Sequence, residues 1–213
     1  MMKLMTMTQV TVDGVMQGNG GTTDEDRQNG FDRGGWAMGT GDDQTMTFIN
    51  ETYERADAFL FGRRTYELFA DFWGADERAR AAAEDPTNNQ IAAALNTKHK
   101  YLASTTLKKG DWADTTVLAG DPAAAIRELK AERAGEVQVH GSGTLVRWLL
   151  ERDLVDELNL RIYPVIVGDG LRLFPEKGQT HRLELLQSIT TPAGVMIQTY
   201  RPAGRATFAT IEA

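Results

Sequence analysis

The sequence predicts an α/β protein: a mixed, mostly parallel sheet flanked by helices and closed by a C-terminal antiparallel hairpin. Three observations lead there. Residues 58–61 (AFLF) form a short, unbroken apolar run, which suits a strand buried on both faces as in a parallel sheet. Twice a strand-like run meets glycine and then a segment of helical periodicity, at Gly62 and at Gly141-Ser142-Gly143, the pattern of a strand–turn–helix unit. Residues 183–189 and 195–200 alternate across Thr191-Pro192-Ala193-Gly194, as the two arms of a hairpin do.

In chain order, residues 3–12 alternate as a half-buried strand and Asp13-Gly14 ends it as a turn. Residues 18–43 hold only Phe31, Trp36 and Met38 as large apolar groups and read as a long loop. The spacing of Phe48, Ile49 and Tyr53 predicts a helix over 45–55, and the strand 58–61 follows. Tyr66, Phe69 and Trp73 restore helical spacing after Gly62, while the Ala-rich, charged stretch 75–89 reads as a surface helix or lid. Strands over 100–104 and 116–119 flank a Lys-Lys-Gly-Asp turn. Asp121 caps a helix that Pro122 opens, with Ala125, Ile126 and Leu129 on one face. A strand over 136–140 and a helix over 144–151 make the second strand–turn–helix unit. Residues 154–167 read as a late strand kinked at Pro164, since a central strand tolerates proline only with a bulge. No repeat, linker or charge block divides the chain, so one domain is expected over 1–203, with a loose tail over 204–213.

Composition removes several classes of function. Lys and Arg number 23 against 30 Asp and Glu, a net charge of −7, and no stretch concentrates the cations that nucleic acid demands. Without cysteine there is no disulfide framework, thiolate nucleophile or Cys-based zinc site. His99, His140 and His181 are scattered, so no metal site is expected. The opening MMKLMTMTQVTVDG lacks the apolar core of a signal peptide or membrane span, and a soluble cytoplasmic protein is expected.

The two glycine junctions carry the chemistry. A helix N-terminus presents unpaired amides and partial positive charge, and a preceding glycine lets a phosphate approach the backbone. Arg63 and Arg64 add forked donors, and Thr65 and Thr144 add hydroxyls at the same ends. Each junction also has a plain reading as a tight turn beside a solvated arginine pair, and neither matches GxGxxG or a P-loop. Asp13 reads as a turn residue, Trp36 as a loop anchor, His140 as a satisfied polar group, and Asp156 and Glu157 as a solvated strand edge.

FLFGRRTYELF (59–69), VQVHGSGTLVRWLL (137–150), TVDGVMQG (11–18) and DELNLRIYPVIVGDGLRLF (156–174) together resemble the dihydrofolate reductase-like superfamily. Within it they are similar to the branch related to the C-terminal reductase domain of riboflavin biosynthesis, over nearly the whole chain to about Arg201. The resemblance implies NADPH as cofactor. It places the adenosine-side phosphates on Gly62, Arg63, Arg64 and Thr65, and the pyrophosphate and nicotinamide beside Gly141, Ser142, Gly143, Thr144 and Leu145. Ser104 and Thr105 correspond to the turn flanking the adenine ribose, Val15 and Met16 to the segment beside nicotinamide, and Gln9, Thr11 and Trp36 to substrate-binding positions. The arginine pair matches the need of a 2′-phosphate for cations. The implied activity is hydride transfer to a small heterocyclic or ribosylaminopyrimidine substrate, as in 5-amino-6-(5-phosphoribosylamino)uracil reduction. Dihydrofolate or pterin reduction and a non-catalytic nucleotide-binding module stand as alternatives. Dihydrofolate reductases carry an acid at the start of the helix after the long loop; Asp42 and Asp43 lie there, where Asp is also an ordinary N-cap. A homodimer through the apolar stretch 158–167 is expected.

Overall fold

Eight strands join into one sheet in the computed structural model, which describes residues 1–209: β1 (Met2–Thr11), β2 (Ala58–Gly62), β3 (His99–Ala103), β4 (Thr115–Val117), β5 (Gly135–His140), β6 (Glu157–Tyr163), β7 (Leu183–Thr190) and β8 (Met196–Pro202). Their order is β4-β3-β2-β5-β1-β6-β8-β7. All pairings from β4 to β6 are parallel, and β8 and β7 are added antiparallel. The connections carry α1 (Asp24–Gln28), α2 (Asp43–Arg55), α3 (Arg63–Trp73), α4 (Asp76–Glu84), α5 (Gln90–Thr97), α6 (Pro122–Glu132) and α7 (Gly143–Leu150).

Side-chain alternation along the strands sorts the core into two layers. Leu4, Ala58, Leu60, Val137, Val139 and Leu158 point to one face and bury against Ile126 of α6 and Val146 and Leu149 of α7. Phe59 and Phe61 point to the other, packing with Ile49 and Tyr53 of α2, Tyr66 of α3 and Leu95 of α5. Because β2 is covered on both faces, its sequence is an apolar run with no alternation, as expected for it. β2 and β5 are neighbours, yet α3 leaves β2 for one face and α7 leaves β5 for the other. Helices that depart to opposite sides open a crevice outside the carboxyl ends of their strands.

The structure departs from the sequence expectations in four places. The loop 18–43 contains α1, a single turn held by a capping box between Thr23 and Asp26; with no buried residue it has no periodicity to read. The stretch 75–89 is helical only to Glu84, because Pro86 disfavours helix at Asp85, and a separate helix α5 follows. Lys100 ties α5 to β3: fully buried, its ammonium donates to the carbonyls of Leu95 and Lys98, both at 2.8 Å, and burial pushes its pKa down to about 8. The late strand ends at Tyr163, so Pro164 terminates it where a kink was expected. Asp156 and Glu157 are not a solvated edge: Asp156 Oδ2 accepts from the Leu4 amide at 2.7 Å and pairs with Lys130 at 2.5 Å, and Glu157 pairs with Lys3 at 2.5 Å.

Of the stretch expected to form a dimer, Leu158, Leu160 and Tyr163 are buried within the chain's own core and β6 lies between β1 and β8, while Ile166 is exposed; the free edges of the sheet belong to β4 and β7. Of the expected tail, Gly204 accepts from the Arg182 amide at 2.9 Å and Arg205 reaches Asp153 at 3.2 Å, while residues 210–213 lie outside the described residues. Among the described residues no helix is long and apolar enough to cross a membrane.

Leu149 is fully buried where α7 meets the sheet. Leu149→Ala is expected to lower unfolding stability by about 2–5 kcal/mol with an unchanged denaturant slope, read from urea titration.

Candidate active site

The crevice is shaped by unequal strand lengths. β1 pairs with β5 only from Met2 to Met7 but with β6 from Met5 to Thr11, so its last four residues have no neighbour on the β5 side. On that side Gly141 N–H donates to the Met7 carbonyl at 3.3 Å and Thr11 N–H to the Val15 carbonyl at 2.9 Å. The ladder alternates every second residue, so the amide and carbonyl of Gln9 face the same opening. The two glycine junctions meet beside it: a Cβ built on Gly62 would lie 3.1 Å from Ser142 Oγ, so glycine is what lets them close up. Ser142 holds φ 54°, a left-handed conformation that costs a non-glycine residue roughly 1–3 kcal/mol, and its hydroxyl caps α7 by accepting from Leu145 N–H at 3.4 Å.

Two clefts of ≈ 470 and ≈ 550 Å³ share Arg64 and Ser142. They differ in charge. The larger is lined by Gly62, Arg63, Arg64, Ser104, Thr105 and Thr144 and has no carboxylate in its wall. Gly62 supplies no side-chain cap to α3, which leaves the first-turn amides of that helix available to an anion. The smaller cleft has an apolar floor that includes Met7 and Tyr53, with Phe69 and the exposed Leu68 on its α3 wall, and a rim bearing Glu25, Asp26, Glu67 and Asp71. Arg64 bonds Glu25 of α1 across the mouth, and Arg63 lies 3.7 Å from Glu67.

Between the sheet and α2 a chain of polar groups runs inward from the half-exposed Arg55 through buried Glu136 and Gln138 to His140 at the smaller cleft. Arg55 Nε donates to both oxygens of Glu136 at 3.2 and 3.1 Å. Gln138 Nε2 donates to Glu136 Oε1 and to the Thr52 carbonyl, both at 2.5 Å, which turns Gln138 Oε1 toward His140 Nε2 at 2.9 Å. His140 therefore carries its proton on Nε2 and leaves Nδ1 as a bare acceptor, unpartnered among the described residues. Its ring stacks on Tyr53 at 4.2 Å. Burial, helped by the positive charge of Arg161, holds the imidazole well below its ordinary pKa and keeps it neutral. Burial also pushes the Tyr53 phenol up, so it stays protonated.

Arg161 on β6 is fully buried. Its Nη2 touches the Met7 sulfur, its Cζ lies 5.5 Å from the Phe48 ring centroid, and Nε and Nη1 have no hydrogen-bond partner among the described residues. Burial pushes its pKa down to about 10, partly offset by Tyr53 and Tyr163, so it remains a cation at neutral pH.

Of the residues expected to hold ligand, Gln9, Met16, Gly62, Arg63, Arg64, Thr65, Ser104, Thr105, Gly141, Ser142, Thr144 and Leu145 line the two clefts. Gly143 stands behind them, where a Cβ would meet Met16 Sδ at 2.5 Å. Thr11 and Val15 are buried in the turn after β1, Thr11 Oγ1 accepting from Val15 N–H at 2.9 Å and donating to Asp13 Oδ1 at 2.5 Å. Trp36 is buried against Tyr163 with its indole N–H on the Gln17 carbonyl at 2.9 Å, and lines neither cleft. Asp42 is a working N-cap: Oδ1 accepts from Thr45 N–H at 2.8 Å and Oδ2 from Ala193 N–H at 2.7 Å, and these bonds, with the Thr45 hydroxyl foremost, hold its carboxyl far below the usual range. Asp43 is exposed at the first turn of α2 and lines neither cleft. Tyr53, His140 and Arg161 were not anticipated at the site. The available signal was NLRIY, where Asn159 and Arg161 alternate with Leu158, Leu160 and Ile162 on a strand buried on both sides.

The fold is dihydrofolate reductase-like. A putative riboflavin biosynthesis protein from Shewanella sp. PV-4 superposes with a TM-score of 0.67 at 18% identity, over 94% of this chain and 98% of its own. Dihydrofolate reductase from Enterococcus faecalis, complexed with NADP(H), superposes with a TM-score of 0.52 at 11% identity, covering 94% and 96%. A diaminohydroxyphosphoribosylaminopyrimidine deaminase/5-amino-6-(5-phosphoribosylamino)uracil reductase from Thermotoga maritima gives 0.58 at 12% identity, over 94% of this chain and 56% of that one. The chain belongs to the family of RibD C-terminal domains, whose model matches residues 2–197.

The depressed pKa of His140 sets a pH dependence. Below about pH 6.5 the unfolded chain protonates this side chain and the folded one does not, so stability falls on acidification by about 1.4 kcal/mol per unit until the folded pKa is reached. Urea titrations between about pH 5 and pH 8 check this, and His140→Gln is expected to flatten that part of the profile.

Proposed function

We propose that the protein is an NADPH-dependent reductase that delivers hydride to a small heterocyclic substrate, with a ribosylaminopyrimidine as the leading class. The observation that supports this reading most is the division of one crevice into a cationic, hydroxyl-lined half and a half with an apolar floor and an acidic rim, bounded by a free strand edge. The residues present fit a dinucleotide. Uncapped amides of α3, the Gly62 approach and the Arg63–Arg64 pair suit phosphates, and the 2′-phosphate of NADPH adds a dianion that NADH lacks. The Gln9 backbone edge offers a donor and an acceptor in one plane, as a carboxamide requires. The Enterococcus faecalis and Thermotoga maritima neighbours, by their names, bring NADP(H) and ribosylaminouracil reduction to the proposal.

Bound NADPH supplies the hydride. The chain's own part is to hold the acceptor over Met7 against Tyr53 and His140, exclude water with the apolar floor, and fix the reacting faces. Asp42 gives no proton, since one of its oxygens caps α2 and the other accepts from the Ala193 amide. That engagement favours a second reading, a module that holds the nucleotide without turning it over.

Fluorescence titration is expected to show NADPH bound more tightly than NADH, with Arg63→Ala or Arg64→Ala weakening NADPH about tenfold or more and NADH less. Loss of NADPH absorbance on adding a ribosylaminopyrimidine supports the reductase. Tight binding with no turnover of that substrate or of dihydrofolate supports the module, and no binding of either nucleotide removes both.

A further inference from the structure

Arg161 is a cation in the protein interior that no carboxylate of the described residues pairs with. An isolated buried charge is among the costliest features a fold can carry, and the cost is offset when a ligand of opposite charge arrives. The position says where that ligand sits. Arg161 is in register with Gln9 on β1 and shares the sheet face of Met7, and both Gln9 and Met7 line the smaller cleft. The guanidinium therefore lies one side chain beneath the floor, and that side chain is a thioether, unbranched, flexible and a poor acceptor. Tyr53 and His140, which also line the cleft, feel its charge.

We infer that Arg161 forms an anion-preferring subsite at the inner end of the cleft, reached when Met7 swings aside, which selects planar ring substrates that carry or develop negative charge on an oxygen. The rim carboxylates Glu25, Asp26, Glu67 and Asp71 oppose this only weakly. Glu25 is already paired with Arg64, and exposed charges are screened over about 8 Å at physiological salt, whereas a sealed guanidinium is screened far less. Hydride from the nicotinamide forms a C–H bond as the π bond of a C=O, or of a C=N conjugated to a carbonyl, breaks. Its electron pair goes to the carbonyl oxygen, later protonated from solvent, so the same guanidinium favours that charge as well as an anionic ground state.

The inference rests on the smaller cleft being the substrate half of the proposed reductase. It is tested with orotate and uracil, which share a pyrimidine ring and differ by one carboxylate, titrated calorimetrically into nucleotide-free and NADP⁺-loaded protein. Wild type is expected to bind orotate at least about tenfold more tightly than uracil, Arg161→Met to abolish the difference, and Arg161→Lys to keep part of it. Arg161→Met is expected to melt no lower than wild type, because it removes an unpaired buried charge. Equal affinities in wild type, failure of orotate to bind, or a preference that survives in Arg161→Met overturns the inference. Should Arg161→Met not fold, Met7→Ala decides: unmasking the guanidinium raises the orotate preference, and an unchanged preference overturns the idea. NADPH titration of the same samples keeps the two questions apart. Wild type that fails to bind NADPH strikes at the reductase reading, while the orotate ratio on nucleotide-free protein bears on Arg161 alone.

Discussion

The adjacency of β2 and β5, parallel neighbours whose helices leave for opposite faces, is the constraint on which the rest of the molecule depends. It requires the chain to pass from β1 over α2 to β2, leaving the gap that β5 later fills, so both layers must be covered by helix. Each layer needs its own apolar set, and the strands supply it by alternating: Leu60 and Val139 to one side, Phe59 and Phe61 to the other. The crevice follows from the winding alone, before any side chain specialises it. Glycine at 62 and at 141 then lets backbone, rather than side chain, line its centre.

Elements with a one-sided or fully buried apolar pattern were legible in the sequence. The strand at 58–61, the capped helix opening at Pro122 and the C-terminal hairpin all have local causes: an apolar run, an Asp-Pro start, a turn between alternating arms. What was illegible has no such local cause. α1 buries nothing, and α5 buries mainly alanines, whose small apolar contrast conceals its face. Pro164 was visible, but whether it kinks or ends β6 depends on where the β8 ladder stops, at Ile162 opposite Met196. At the site, the cleft-lining residues of the two glycine junctions could be read because glycine, arginine and threonine at a helix start have a local meaning. Thr11 and Val15, mapped to the ligand by resemblance, and Trp36, a substrate-binding candidate, line neither cleft and make bonds within the turn and the loop. His140 and Arg161 acquire their character only from what packs over them.

The polar layer beneath α2 runs against the usual economy of a protein core. Glu136, Gln138, His140, Asn159 and Arg161 are all buried on a face that hydrophobic side chains could fill. Glu136, Gln138 and the Nε2 of His140 are joined to one another and, through Gln138, to the Thr52 carbonyl, while Asn159 donates to Thr199 Oγ1 at 2.9 Å and leaves its Oδ1 without a partner among the described residues. Such a network specifies one arrangement of α2 on the sheet, since a shift of one residue would strand several donors at once. It also brings His140, with its unspent Nδ1, to the wall of the crevice and the unspent Arg161 donors beneath Met7.

The bond between Arg64 and Glu25 ties the loop that follows β1 to a residue shared by both clefts. Both side chains are largely exposed, so the pair is worth about 0–1 kcal/mol, little enough for a competing anion to displace. One guanidinium cannot fully serve a carboxylate on the loop and a phosphate in the crevice. On the proposed function, a phosphate that takes this guanidinium competes with Glu25, so ligand binding and the Arg64–Glu25 contact would be linked with negative sign, and reciprocally. The segment 18–41 would then compete for Arg64 through Glu25 alone, and the residue at 25 would set affinity without itself meeting the ligand.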